Sequence, residues 1–325
     1  MSLGLLLLAA FIAVVQRCRE GFSTNESLAA LQDNARHALS VMLQDLEHAG
    51  FLGYSGAAAV QYTRGGAVLA EGADLHQPDA AHAVAAVPGL PAGAHDCGEN
   101  YALDLDLAVQ GTNNSYSSAG ATDCPPTPAA GGSHAGSDTL TVRHAALETT
   151  KPLAGRLQLY SRRTESHGTA WLFADGRAPG PVDVDTEVRD LEVHRYYIAN
   201  DSVDRPHWPA LRVKSLTESR GAVQFRDEEV LPGVEDLQVE FGVRDPGDPD
   251  GRLSFVTADF PELRDRRLVA IRLWLRIRAD RTEAGYFDTR PMQYAGMEFT
   301  PDAVESRQRR LLVQRTVALR NVREP

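Results

Sequence analysis

Seven residues, "DPGDPDG" from Asp245 to Gly251, come nearest in this chain to a cation-binding pattern. Calcium takes several carboxylate or carbonyl oxygens at about 2.3–2.6 Å around a sharp glycine turn. Two prolines interrupt the ligand alternation of an EF-hand loop and no glutamate stands at its final position, so a hairpin turn is expected here. "HDCGE" offers His95, Cys97 and Glu99, with Cys124 distant in "DCPP". Zinc usually draws its ligands as close pairs from two sides, and "DCPP" supplies only one. The ten histidines are scattered and no G-x-S-x-G elbow occurs. The acidic pairs Asp104/Asp106 and Glu228/Glu229 have the spacing of exposed strand faces or turns. "GLPAG" and "AAGG" lack the lysine and the strand-to-helix setting of a phosphate loop. No catalytic residue, cofactor site or metal site is assigned, and the protein is expected not to be an enzyme.

Composition sets the outer bounds. The 325 residues are 43% hydrophobic and 24% charged, enough to bury a large core. A formal net charge of −11 opposes nucleic-acid binding, and the most basic runs, "RDRR" and "RQRR", are short enough to be solvated surface. Cys18, Cys97 and Cys124 are too few for a four-thiolate zinc site, and their distribution suggests one bridge and one free thiol.

The elements that could position anything fall into two regimes. "MSLGLLLLAAFIAVV" carries no charge and then meets "QRCRE". It has neither the basic start nor the small-residue cleavage site of a signal peptide, so a membrane helix lacking its beginning is expected. From Ser27 the apolar positions Leu28, Leu31, Ala35, Leu39, Met42, Leu46 and Ala49 fall three and four apart on one helical stripe that ends at Gly50. Gln32, Asp33, Arg36, Gln44, Asp45 and Glu47 lie mostly off it.

Beyond Gly50 the period becomes two. "YALDLDLAV", "TLTVRH", "RLQLYS", "LEVHRYYI", "LQVEFGV", "LVAIRLWLRIR" and "LLVQRTVAL" read as strands. In "LVAIRLWLRIR", Val269, Ile271, Leu273, Leu275 and Ile277 share one face, with Arg272, Trp274, Arg276 and Arg278 opposite. The expected class is α+β: one long N-terminal helix packed on an antiparallel β-rich domain with long loops. The division is a helix over 1–50, with a membrane part over 1–20 and an amphipathic part over 21–50, then a β-rich domain over 51–325. "GTNNSYSSAGATDCPPTPAAGGSHAGS" has a loop composition, and a Cys97–Cys124 bridge would clip it.

"NESLAALQDNARHALSVMLQDLEHAGFLGYSG" resembles the start of the PilW family of type IV pilus minor pilins. The family's L-x-x-L-Q-x-N-x-R-x-A-L pattern and A-G-[FY] exit match at Leu28, Leu31, Gln32, Asn34, Arg36, Ala38, Leu39, Ala49, Gly50 and Phe51. "GSDTLTVRHA", "HRYYIAN", "LPGVEDLQVEFGV", "LVAIRLWLRIRA" and "RTVALRN" look like later family strands, in order. The likeness covers nearly the whole chain and is weakest from Ala57 to Pro91.

The resemblance implies a pilin-like fold and a structural role without cofactors. The protein would be anchored in the inner membrane by a single pass, with its bulk in the periplasm. It would then enter the pilus on the cell surface, in a tip-proximal complex that primes assembly with other minor pilins, the major pilin and a large tip adhesin. Twitching motility and adhesion would follow. Leu5, Leu6, Leu7, Leu8, Phe11, Ile12 and Val15 would form the membrane and filament-core part, and Leu28, Leu31, Ala35, Leu39, Met42 and Leu46 the helix packing face. In an oxidising compartment Cys97 and Cys124 are expected to pair, leaving Cys18 free.

Family members mature at a glycine followed by an aromatic or Met residue, with a glutamate shortly after. "GFSTNE", Gly21 to Glu26, imitates this, but cleavage there would discard the apolar segment, so Gly21 is expected to be a soft point in one helix. "MSLGLLLLAAF" looks like the portion just beyond the glutamate that follows the family's cleavage site. A minor pseudopilin of a type II secretion system is the alternative, with a membrane-tethered periplasmic binding protein behind it.

Overall fold

A computed structural model describes residues 2–54, 60–64, 67–68, 105, 107–116, 126–163, 169–244, 251–263, 266–283 and 285–322. Helix α1 (Ser2–His48) runs through Gly21 without a break. It stops just before Gly50, which sits at a φ of 78°. A Cβ at Gly50 would come within 2.7 Å of the Asn321 carbonyl oxygen, so both backbone conformation and space select glycine. The Gly50 N–H donates to the Arg143 carbonyl at 2.9 Å, which joins the helix exit to a strand.

The strands among the described residues are β1 (Val60–Arg64), β2 (Ala67–Val68), β3 (Val109–Thr112), β4 (Thr139–Ala145), β5 (Ala154–Arg162), β6 (Thr169–Asp175), β7 (Thr186–Ala199), β8 (Ala210–Ser219), β9 (Ala222–Pro232), β10 (Val234–Arg244), β11 (Ser254–Val256), β12 (Arg267–Thr282), β13 (Met292–Tyr294), β14 (Met297–Phe299) and β15 (Gln308–Ala318). The larger sheet has nine strands, running β2-β1-β6-β5-β7-β4-β3, with β8 paired to β7 and β9 to β8. A second sheet runs β11-β10-β12-β15, and β13 and β14 form a small hairpin. Pairing is antiparallel except between β1 and β6.

The long strand β7 organises the larger sheet. Residues 186–190 pair with β5 and residues 194–199 with β8, while β4 runs along residues 191–196. The second sheet contributes Leu237, Val239, Phe241, Ile271, Leu273, Leu275 and Ile277 to the core, each almost fully buried. The period-two alternation of β12 thus points inward at Ile271, Leu273, Leu275 and Ile277.

The expected α+β class is corrected. Among the described residues the protein is mostly antiparallel sheet, with one helix of seven or more residues. That helix adds to the core only the stripe from Leu31 to Ala49, while strands build the rest. The shift in class has a plain source. β8 and β9 lie in segments of alternating charge whose ionic residues pair across the sheet, and β6 is a short, mostly apolar run; none of the three is among the expected strands. The strand expected over "YALDLDLAV" begins only at Val109, with Leu105 in a turn and Leu107 and Ala108 outside regular structure.

Among the described residues no helix is long and apolar enough to cross a membrane.

Candidate functional site

The apolar stripe of α1 divides at Leu31. Leu31, Ala35, Met42 and Leu46 are buried, joined by Ala38 and Ala49, and Leu39 packs against them partly buried. Leu28, one turn earlier, is 38% exposed. Phe11, Ile12, Val14 and Phe22 are more exposed still, up to 73% at Phe22, and Val15 is half-buried. The side chains of Leu5, Leu6, Leu7, Leu8 and Cys18 lie outside the described residues, as do Cys97, Cys124 and the turn from 245 to 250.

Asp45, read as part of the wet side of the helix, is instead buried against the larger sheet. The pairing of β4 with β7 sets His144 opposite Glu192, Val142 opposite His194 and Leu140 opposite Tyr196. Alternate residues of both strands therefore face α1. The Tyr196 hydroxyl donates to Asp45 Oδ2, which also lies 2.7 Å from His194 Nδ1. His144 Nε2 stands 3.5 Å from Asp45 Oδ1.

Burial by itself would push the Asp45 carboxyl up, but His144, His194 and Tyr196 hold it well below the usual carboxylate range. Burial would lower the His144 imidazole, yet Asp45 and the Ala145 carbonyl raise it above the ordinary histidine value. Burial and the Asp45 charge both push the Tyr196 phenol up. The arrangement locks the last turns of α1 to β4 and β7. The ligand atoms of Asp45, His144 and His194 lie within 4.8 Å of one another, so among the described residues these three form a group that could hold a metal ion.

A second polar cluster joins the two sheets, and it is made by the segments "GSD" and "GVEDLQ". Ser137 Oγ donates to Asp236 Oδ1 at 2.6 Å, and the Asp138 N–H donates to the Leu237 carbonyl at 2.9 Å. Asp138 in turn accepts the N–H groups of Asn114 at 2.7 Å and Val239 at 2.8 Å. Burial nevertheless pushes its carboxyl up to about 7. Glu235 accepts Arg310 at 2.7 and 2.9 Å and Arg276 at 3.2 Å, while the Tyr294 hydroxyl donates to Asp236 at 2.6 Å. The run "RQRR" is thus not solvated throughout, since Arg310 is buried on Glu235. Arg309 makes a two-pronged pair with Glu283 at 2.9 and 2.8 Å.

Between α1 and β15 runs a groove of about 560 Å³ lined by Leu39, Leu43, Leu311 and Val313, with Arg36 and Arg315 at its rim. Among the described residues β15 is the last strand of its sheet and pairs only with β12.

None of these clusters was legible as a site in the sequence. Asp45 and His144 are 99 positions apart, and only "HRYYI" hinted that polar and aromatic residues alternate on one strand.

The family model of the type IV pilus-assembly protein W, PilW, matches residues 195–321, less than half of the chain. The match begins within β7 and takes in β8 through β15, so the whole second sheet lies within the matched residues. It supports involvement in type IV pilus assembly, a setting shared with other pilus components, and a family of that kind fits a place in the cell envelope. No curated protein and no solved structure matches the chain.

Proposed function

We propose that the protein is a minor pilin of a type IV pilus. It is held at the inner membrane before assembly and then built in near the tip, where it primes polymerisation with other minor pilins, the major pilin and a large tip adhesin. The observation that carries this reading is the PilW match over residues 195–321. The exposed Phe11, Ile12, Val14 and Phe22 support it, because apolar surface left uncovered on a helix suits packing among other helices. Fully burying one such side chain contributes about 1.5–3 kcal/mol. The role is one of assembly, not catalysis, with twitching motility and adhesion as its downstream effects.

Deletion of the reading frame in the host cell, with pili sheared from the surface and quantified, tests the proposal. Piliation should fall, return with the wild-type chain, and stay low with a Phe11→Asp, Ile12→Asp chain. The protein should also be detected in the sheared fraction. Normal piliation with lost protein secretion would overturn the proposal in favour of a type II pseudopilin, and normal piliation with normal secretion would remove the chain from both systems.

A further inference from the structure

The Asp45 cluster holds a chemical mismatch. His144 Nδ1 lies 3.0 Å from the Ala145 carbonyl oxygen and 3.5 Å from a Glu192 carboxylate oxygen. Both neighbours only accept hydrogen bonds, so Nδ1 carries the ring proton. In the neutral ring that leaves Nε2 as a bare lone pair. This atom is buried, makes no hydrogen bond, and faces Asp45 Oδ1 at 3.5 Å, another acceptor. A positive charge is needed between these two atoms in a buried site, and it is either the second ring proton of an imidazolium or a metal ion.

We propose that Asp45, His144 and His194 form a binding site for a divalent transition metal, zinc being the type ion, that clamps α1 to β4 and β7. Zinc–nitrogen and zinc–oxygen bonds of about 2.1 Å place tetrahedral ligand atoms about 3.4 Å apart, which is the separation of His144 Nε2 and Asp45 Oδ1. The widest pair of ligand atoms, within 4.8 Å, closes by up to about 1.4 Å on binding. At His194 Nδ1, now 2.7 Å from Asp45 Oδ2, the metal takes the place of the shared proton.

The outer shell is already arranged as metal-ligating histidines require. Ala145 and Glu192 receive the Nδ1–H of His144, which fixes the tautomer that presents Nε2. Tyr196 holds Asp45 Oδ2. The fourth position falls to water or to His48, which follows Asp45 by one helical turn with its ring 5.8 Å from that of His144. Its Nδ1 lies 2.7 Å from the Gln44 carbonyl, which leaves Nε2 for a ligand. Two imidazoles and one carboxylate favour zinc-like ions over calcium or magnesium, which prefer all-oxygen sets. His194 also lines an open cavity of about 170 Å³ with Glu192 and Glu218, a route of entry for the ion.

The test is calorimetric titration of the untagged, chelator-stripped full chain with Zn²⁺, with Ca²⁺ and Mg²⁺ in parallel. One Zn²⁺ per chain and a raised melting temperature are expected, with no response to the other two ions. His194→Gln and the double variant His144→Gln, His194→Gln, each checked for a native circular dichroism spectrum, should bind at least about tenfold more weakly. Absence of Zn²⁺ binding by the wild-type chain would overturn the site without reference to any variant. Wild-type affinity in the folded double variant would overturn it equally, by placing the ion on other histidines.

Discussion

The Asp138 carboxylate accepts the backbone N–H of Val239 at 2.8 Å, so the first turn into β4 is bonded to the middle of β10 in the other sheet. Its second oxygen takes the Asn114 N–H. One side chain thereby satisfies two backbone donors from different parts of the chain.

Asp138→Ala should destabilise the protein by about 2–4 kcal/mol, because both buried donors lose their acceptor. Asp138→Asn keeps one acceptor oxygen and should cost less. Urea unfolding monitored by fluorescence distinguishes the two.

The same group gives a pH signature. Its folded value, about 7, lies above the ordinary 3.8, so the folded state holds the proton more tightly than the unfolded chain. The contribution of Asp138 is therefore most favourable below pH 3.8 and declines as pH rises through about 7. The stability difference between wild type and Asp138→Asn should shift against the wild type over that window. A difference independent of pH would mean that Asp138 stays ionised.

Glu283 titrates in the opposite sense. Arg309 holds its carboxyl down to about 2 from 4.5, and Thr24 of α1 donates to it at 3.3 Å. A lowered value stabilises the fold above pH 4.5, and that stabilisation is lost as pH falls towards about 2. Glu283→Gln should cost about 1–3 kcal/mol at neutral pH and little at pH 2. Acid-unfolding curves of the two proteins should converge at the low end.

The stripe of α1 predicts a contrast between two residues. Met42→Asp places an unpaired charge in the core and should destabilise by about 2–5 kcal/mol. Leu28→Asp, on an exposed position, should stay within about 0.5 kcal/mol. Equal losses from both would show that Leu28 is covered in solution.

Gly50→Ala should cost about 1–3 kcal/mol, since φ is positive there and the added carbon meets the Asn321 carbonyl. Gly21→Ala meets nothing within 4 Å and should instead favour helix by about 1 kcal/mol at most. Thermal melts of the two variants should move in opposite directions.

Much of this molecule was determined by local order along the chain. Steps of three and four place Leu31, Ala35, Met42 and Leu46 on one face of a helix whatever that helix meets, and a glycine at position 50 ends it. Alternation at Ile271, Leu273, Leu275 and Ile277 makes one side of a strand apolar in the same way. These are periodicities of a few residues, and neighbours in sequence suffice to produce them. Only the tertiary structure decided which polar residues are interior. Asp45 has the pattern of a wet helix position and Arg310 that of a basic surface run, yet each is buried because a partner 149 or 75 residues away compensates its charge. Strand β8 was missed for a related reason: Arg212 and Lys214 look like solvent-facing charges until the pairing of β8 with β9 sets them beside Asp227. Desolvation sets the cost of burying a charge and pairing repays it, and pairing across such separations exists only once the sheets have formed.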